Sequence, residues 1–169
     1  MGKATARAFA LLLAGVALLA CGSSPSSMKQ YRSPAGYTVS YPASWNVRAT
    51  APRTFSASAQ DGTEYLVVIV LDASVDQLLN SHRSQLERVS DRTESKEVQT
   101  TSGKTPVLWS RRAEKDGRVG VYQQYFLRTA IGTLWVQHGC FEPGPDASES
   151  TDRDCDDAGL SILRTVSLD

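Results

Sequence analysis

"PVLWSRRAEKDGRVGVYQQYFLRTAIGTLWVQHGCFE" (residues 106–142) decides the fold. Three runs rich in Val, Leu, Tyr, Phe and Trp are separated by "KDGR" (115–118) and "AIG" (130–132). Such residues favour strands, and an Asp-Gly pair favours a tight hairpin because glycine accepts the positive φ that the turn demands. A weaker run in front, "TESKEVQTT" (93–101), leads into a turn at "SGK" and makes a fourth strand. Strands joined by short turns form a meander, whose neighbours pair antiparallel.

Upstream, "EYLVVIVLD" (64–72) is nearly continuously apolar and predicts a central strand covered on both faces. Between it and the meander lies "SVDQLLNSHRSQLERV" (74–89). Ser74 with Gln77 fits a capping box, and Val75, Leu78, Leu79, His82, Leu86 and Val89 recur at helical spacing. His82 falls on the apolar side and reads as a satisfied, partly buried histidine rather than a ligand or a base. In "GYTVSYPASWNV" (36–47), Tyr37, Val39 and Tyr41 alternate with Thr38 and Ser40, so a half-buried strand ends at Pro42 with Trp45 packed after the turn. Downstream, "PGPDASESTDRD" (143–154) reads as an acidic loop. "CDDAGLSILRTV" (155–166) reads as a short closing helix, with Asp154 as N-cap, Asp156 and Asp157 in the first turn, and Ile162, Leu163 and Val166 facing inward. This order predicts one α+β domain with a largely antiparallel sheet.

The N-terminus has a different character. Lys3 and Arg7 precede an apolar run from Ala8 to Leu19, and small Ala20 precedes Cys21. As a helix the run would span roughly 18 Å, short of the roughly 30 Å hydrocarbon core, so it predicts an export signal over residues 1–20 rather than a membrane span. "LLAC" (18–21) resembles the lipobox of bacterial lipoproteins, departing mildly at Leu19. That resemblance implies a diacylglyceryl group on the Cys21 thiol and cleavage just before it; more than one acyl chain is what makes such an anchor durable. "GSSPSSMKQ" (22–30) is small and polar, so residues 21–30 read as a flexible tether and residues 31–169 as the folded domain.

With Cys21 lipidated, Cys140 and Cys155 remain as a pair in a compartment where disulfides persist, and a bridge between them is expected. It would close a loop of about 15 residues and contribute roughly 3 kcal/mol by the chain-entropy model. Two cysteines with only His82 and His138 elsewhere do not make a zinc pattern, and no metal is expected. The acidic loop lacks the ordered D-x-D-x-D-G of calcium loops and reads as solvated. Loss of residues 1–20 would lower Lys+Arg from 18 to 16 against 18 Asp+Glu, a net charge of −2 that gives no reason to expect nucleic acid.

No G-x-S-x-G elbow, S-x-x-K pair, Walker loop or H-E-x-x-H helix occurs, so neither catalysis nor a cofactor is expected. Tyr122 and Phe126 share one strand face and Tyr125 takes the other, a choice between core and recognition surface. Arg111, Arg112, Lys115 and Arg118 cluster at a hairpin tip, either as a solvated edge or as a contact for an anionic polymer or headgroup.

"YRSPAGYTVSYPASWNV" (31–47), "GTLWVQHGC" (132–140) and "LSILRTVSL" (160–168) together resemble the PsbP-like family, which includes the photosystem II extrinsic protein PsbP, a Ran-binding nuclear protein and envelope lipoproteins such as DcrB and the LpqN group. The resemblance implies an antiparallel sheet sandwiched between helices, α/β/α, and a non-catalytic binding or assembly role. The expected function is a lipid-anchored cell-envelope factor that contacts an envelope protein. The alternative is a periplasmic carrier holding a lipid or other small apolar ligand in a pocket under the long helix. A filled interior favours the first and a continuous cavity the second. Gly22, where aspartate would signal retention, implies the periplasmic face of the outer membrane in a two-membrane bacterium, and otherwise the outer face of the plasma membrane.

Overall fold

A computed structural model describes residues 27–101, 103–142 and 149–169. β1 (Met28–Ser33), β2 (Tyr37–Pro42) and the short β10 (Ser167–Leu168) form a three-stranded sheet with β2 in the middle. The larger sheet has seven strands: β3 (Asn46–Ala51), β4 (Thr54–Ser58), β5 (Glu64–Leu71), β6 (Arg92–Thr100), β7 (Gly103–Ala113), β8 (Val119–Thr129) and β9 (Gly132–Glu142). Its spatial order is β3-β4-β5-β9-β8-β7-β6 and every pairing is antiparallel.

Two helices lie on opposite faces of the large sheet, giving the expected α+β sandwich. α1 (Val75–Val89) begins where Ser74 Oγ accepts from the Gln77 N–H at 3.2 Å. It rests on β6, β7 and β8, with Leu86 against Leu108 and Phe126. Val89, expected to face inward, is 52 % exposed, at the edge of the cleft under this helix. α2 (Glu149–Arg164) rests on β8, β9 and β2. On the same side, Tyr37 and Val39 of the small sheet join Phe55, Leu66, Val68 and Leu163 in the main core.

The meander of β6 to β9 forms as its pattern predicts. The "KDGR" turn is wider than a two-residue hairpin: it occupies residues 114–118, and Gly117 takes φ +81°. Three expectations are corrected. β5 is third in the sheet and alternates buried with half-buried residues, whereas β9 is central and β8 is the strand covered on both faces, buried from residue 119 through 127. The cause is that both helices cross β8. Glu149–Asp154, read as loop, belong to α2, which starts six residues before Cys155, so Asp154 is inside the helix and not its cap. Acidic residues in a first turn are favoured by the helix dipole, and no Pro or Gly interrupts them. Met28–Gln30, read as tether, pair with β2 in β1. The β3–β4 hairpin, built largely from Ala, Ser, Thr and Arg, gave too weak a pattern to be anticipated.

Candidate functional site

β8 carries Gln123 and Gln124 side by side, and successive strand residues point to opposite faces. Both glutamines are buried, so each face must satisfy one amide.

On the α1 face a cleft of about 250 Å³ opens among His82, Gln85, Leu86, Tyr122, Gln124 and Trp135, with Val89, Arg112 and Gln137 completing its lining. Gln124 Oε1 lies 2.7 Å from His82 Nδ1 and accepts from Trp135 Nε1 at 3.4 Å. An indole N–H can only donate, so the atom facing it is the amide oxygen, and His82 must present Nδ1–H to that oxygen. When neutral, the ring is then an acceptor at Nε2. Gln124 Nε2 is left as a donor with no protein partner among the described residues. Gln137 Nε2 donates to Tyr65 Oη, which keeps the Gln137 oxygen as an acceptor. Burial pushes the Tyr65 phenol up to about 12 despite that bond.

Arg112 donates to Glu114 at 2.7 Å and to Tyr122 Oη at 3.4 Å, with its guanidinium 4.7 Å from the centre of the Tyr122 ring. Tyr122 in turn donates to Glu114. Burial pushes the Glu114 carboxyl up, but the bonds from Tyr122 and Arg112 outweigh it and hold the group below its ordinary value. The Arg112 charge is therefore met inside the protein, and the cleft is polar without a surplus cation.

On the α2 face, Gln123 Nε2 donates to Asp156 Oδ1 at 2.7 Å and its Oε1 accepts from Tyr125 Oη at 2.8 Å. Burial raises the Asp156 carboxyl above its ordinary value, against the Lys96 charge and the Gln123 bond. α2 reaches this depth because residue 159 is glycine: a Cβ there would lie 1.7 Å from Gln123 Oε1. A groove of about 250 Å³ lined by Val98, Val107 and Leu160 runs beside Trp109 and Asp156.

Cys21 and residues 143–148 of the acidic loop lie outside the described residues. Cys140 and Cys155 have their Sγ atoms 2.06 Å apart and their Cα atoms 6.0 Å apart, a disulfide distance. Fully buried His138 lies beside them, with Nδ1 3.9 Å from Cys155 Sγ and Nε2 3.5 Å from Glu64 Oε2. These three residues offer donor atoms within 4.8 Å of one another, but sulfurs bonded to each other are not thiolate ligands. His82 is satisfied and partly buried, as its position in the helix predicts. Tyr122, Tyr125 and Phe126 are all core, since both faces of β8 are covered. At the hairpin, Arg111 meets Asp152 at 3.6 Å, Arg112 meets Glu114 at 2.7 Å and Arg118 meets Asp116 at 2.8 Å, while Lys115 is exposed, an arrangement that favours the solvated-edge reading. Sequence reasoning passed over Gln85, Gln124 and Gln137. The adjacent glutamines within an apolar strand were the available signal, and its meaning depends on which elements cover that strand.

No family model matches the chain, and no curated protein matches it in sequence. Solved structures do. A mutant of the protein Mog1 aligns with a TM-score of 0.58 at 13 % identity, over 84 % of this chain and 96 % of that one. The Ran-binding protein Mog1p of Saccharomyces cerevisiae aligns at 0.56, with the same identity and coverage. Cyanobacterial PsbP (CyanoP) from Synechocystis sp. PCC 6803 aligns at 0.51 and 11 % identity, over 88 % of this chain and 96 % of that one. The chain has the PsbP/Mog1 fold. At this identity the likeness carries the fold alone. In this version of the PsbP/Mog1 fold the chemistry-bearing groups gather on both faces of β8, each beneath one helix.

Proposed function

We propose that the chain is a lipid-anchored, non-catalytic binding or assembly factor of the bacterial cell envelope, tethered through Cys21 and acting by contact with an envelope protein. The filled interior carries the protein-contact part of this reading. α1 is seated directly on Leu108 and Phe126, and the space under it is a polar cleft of about 250 Å³, not the continuous apolar cavity that a lipid carrier needs. The Ran-binding role of Mog1p, a contact between proteins, supports the same reading. The envelope part rests on Lys3, Arg7, the apolar run and "LLAC", and on the short polar stretch of residues 22–27 between Cys21 and β1.

The test combines metabolic labelling by an alkynyl palmitate with a photo-crosslinker at exposed Lys96 or Lys115 in intact cells. Wild type is expected to take up label, sediment with membranes and capture one envelope protein. Cys21→Ala is expected to lose the label, enter the soluble fraction and lose the capture. Label on Cys21→Ala, or the same captures from both forms, would count against the proposal.

A further inference from the structure

We propose that the cleft under α1 binds a single neutral sugar ring through Gln124 Nε2, His82 Nε2 and Gln137 Oε1, with Trp135 as its aromatic wall. The argument begins with Gln124. It is 7 % exposed and its oxygen takes two hydrogen bonds, yet its Nε2 has no protein partner among the described residues and the side chain lines the cleft. That N–H opens onto the cleft, where water or a hydroxyl of a bound molecule can accept from it.

The pattern around it selects the kind of acceptor. Next to the Gln124 donor stand Gln137 Oε1, an acceptor, and His82 Nε2, which accepts when the ring is neutral, with the Arg112 guanidinium as a further donor. A hydroxyl both donates and accepts, so adjacent hydroxyls on one ring suit a set of mixed donors and acceptors. A carboxylate or phosphate would have to face the two acceptors, and Glu114 already answers the Arg112 charge. An acyl chain would strand all four polar groups. Half-buried Trp135 offers ring surface to the apolar C–H face of a pyranose. The volume of about 250 Å³ is below the roughly 300–1,000 Å³ of drug-sized sites, which limits the occupant to one ring with any further glycan outside, past exposed Gln85. This site depends neither on Cys21 nor on a protein partner.

The full-length lipoprotein in dodecylphosphocholine, a sugar-free detergent, is titrated with methyl β-glucoside, N-acetylglucosamine and glucuronate. Shifts are followed at the Gln124 side-chain amide and the Trp135 indole. A neutral sugar is expected to give saturable shifts at both, with Kd on the order of 1 mM, and Gln124→Leu is expected to weaken binding at least about tenfold. Wild type also gives a readout that needs no variant: nuclear Overhauser contacts between sugar ring protons and the Trp135 ring. The proposal is overturned if no neutral sugar shifts these signals at about 50 mM, far above that Kd, if glucuronate alone does so, if folded Gln124→Leu binds as wild type does, or if saturating sugar gives no contact to Trp135.

Discussion

Gln123 and Gln124 are neighbours in sequence, yet they serve opposite faces of the sheet, one bonded to Asp156 and Tyr125 and the other to His82 and Trp135. Buried amides of this kind are costly unless met; Gln123 is met at both its nitrogen and its oxygen, whereas Gln124 is met at its oxygen and opens its nitrogen onto the cleft. Gly159 is the residue on which the α2 side of this arrangement turns. In an ordinary helix interior, Gly to Ala stabilises by about 1 kcal/mol. Here the added methyl would meet Gln123 Oε1, whose position is fixed by its bond from Tyr125, and would stand 2.9 Å from His138 Nδ1. The sign therefore reverses. Gly159→Ala is expected to destabilise the protein by about 1–3 kcal/mol, the usual range for overpacking, as a lowered urea midpoint. A raised midpoint would show that α2 sits less deeply than described.

At the scale of elements, α2 is held to the sheet at both ends of its buried stripe. Ile162 and Leu163 enter the main core near its C-terminal end, and Cys155 meets Cys140 of β9 nearer its start. A bridge spanning 15 residues constrains the unfolded chain by roughly 3 kcal/mol in the chain-entropy model. Cys155→Ser is expected to lose about that amount in non-reducing denaturant titrations, and wild type with a dithiol reductant present is expected to fall towards the variant. Equal stability of wild type and variant under non-reducing conditions, or full-length protein with two titratable thiols after unfolding, would argue that no bridge forms. The elements also show where pattern reading succeeds. The strands of the meander and α1 carry strong local signals, with Ser74 capping the helix and Gly117 in its turn, so they are legible. The first turns of α2 are polar and acidic like a loop, and they are helical because Cys155 and Ile162 dock the rest of the helix on β9 and the core.

The pH dependence of stability is a property of the whole molecule, because two sets of carboxyls oppose each other. Hydrogen bonds and ion pairs hold Glu94 and Glu114 below their ordinary values, overcoming the rise that burial gives Glu114. Such groups add stability at neutral pH that is lost as pH falls through their folded values. Burial raises Asp156 and Glu142, and a raised carboxyl adds stability only at low pH, which is lost as pH rises from the unfolded value through the folded one. Asp156→Asn keeps an acceptor for Gln123 and removes one such penalty. Its stability relative to wild type is expected to increase as pH rises from the ordinary carboxyl value of 3.8 and then to level off above the folded value. Urea midpoints across pH 3.5–8, the range in which displaced carboxyls titrate, check this, and a difference that does not vary with pH would contradict it.

By itself the sequence determined the strand meander, the capped amphipathic helix, the inward face of the closing helix and the α+β class, because each rests on local periodicity and turn chemistry. It also determined which residues could carry a lipid or form a disulfide, since those depend on residue type and order. Which strand lies at the centre, and what the glutamines of β8 do, was decided only by the tertiary structure. The greasiest strand, β5, is third in the sheet, while the more polar β8 is the one that both helices cross. Burial on two faces is a non-local property: it arises when α1 and α2, separated in sequence by the whole meander, close on the same strand. That closure turns Gln124 from a polar residue in an apolar run into a donor facing a cleft.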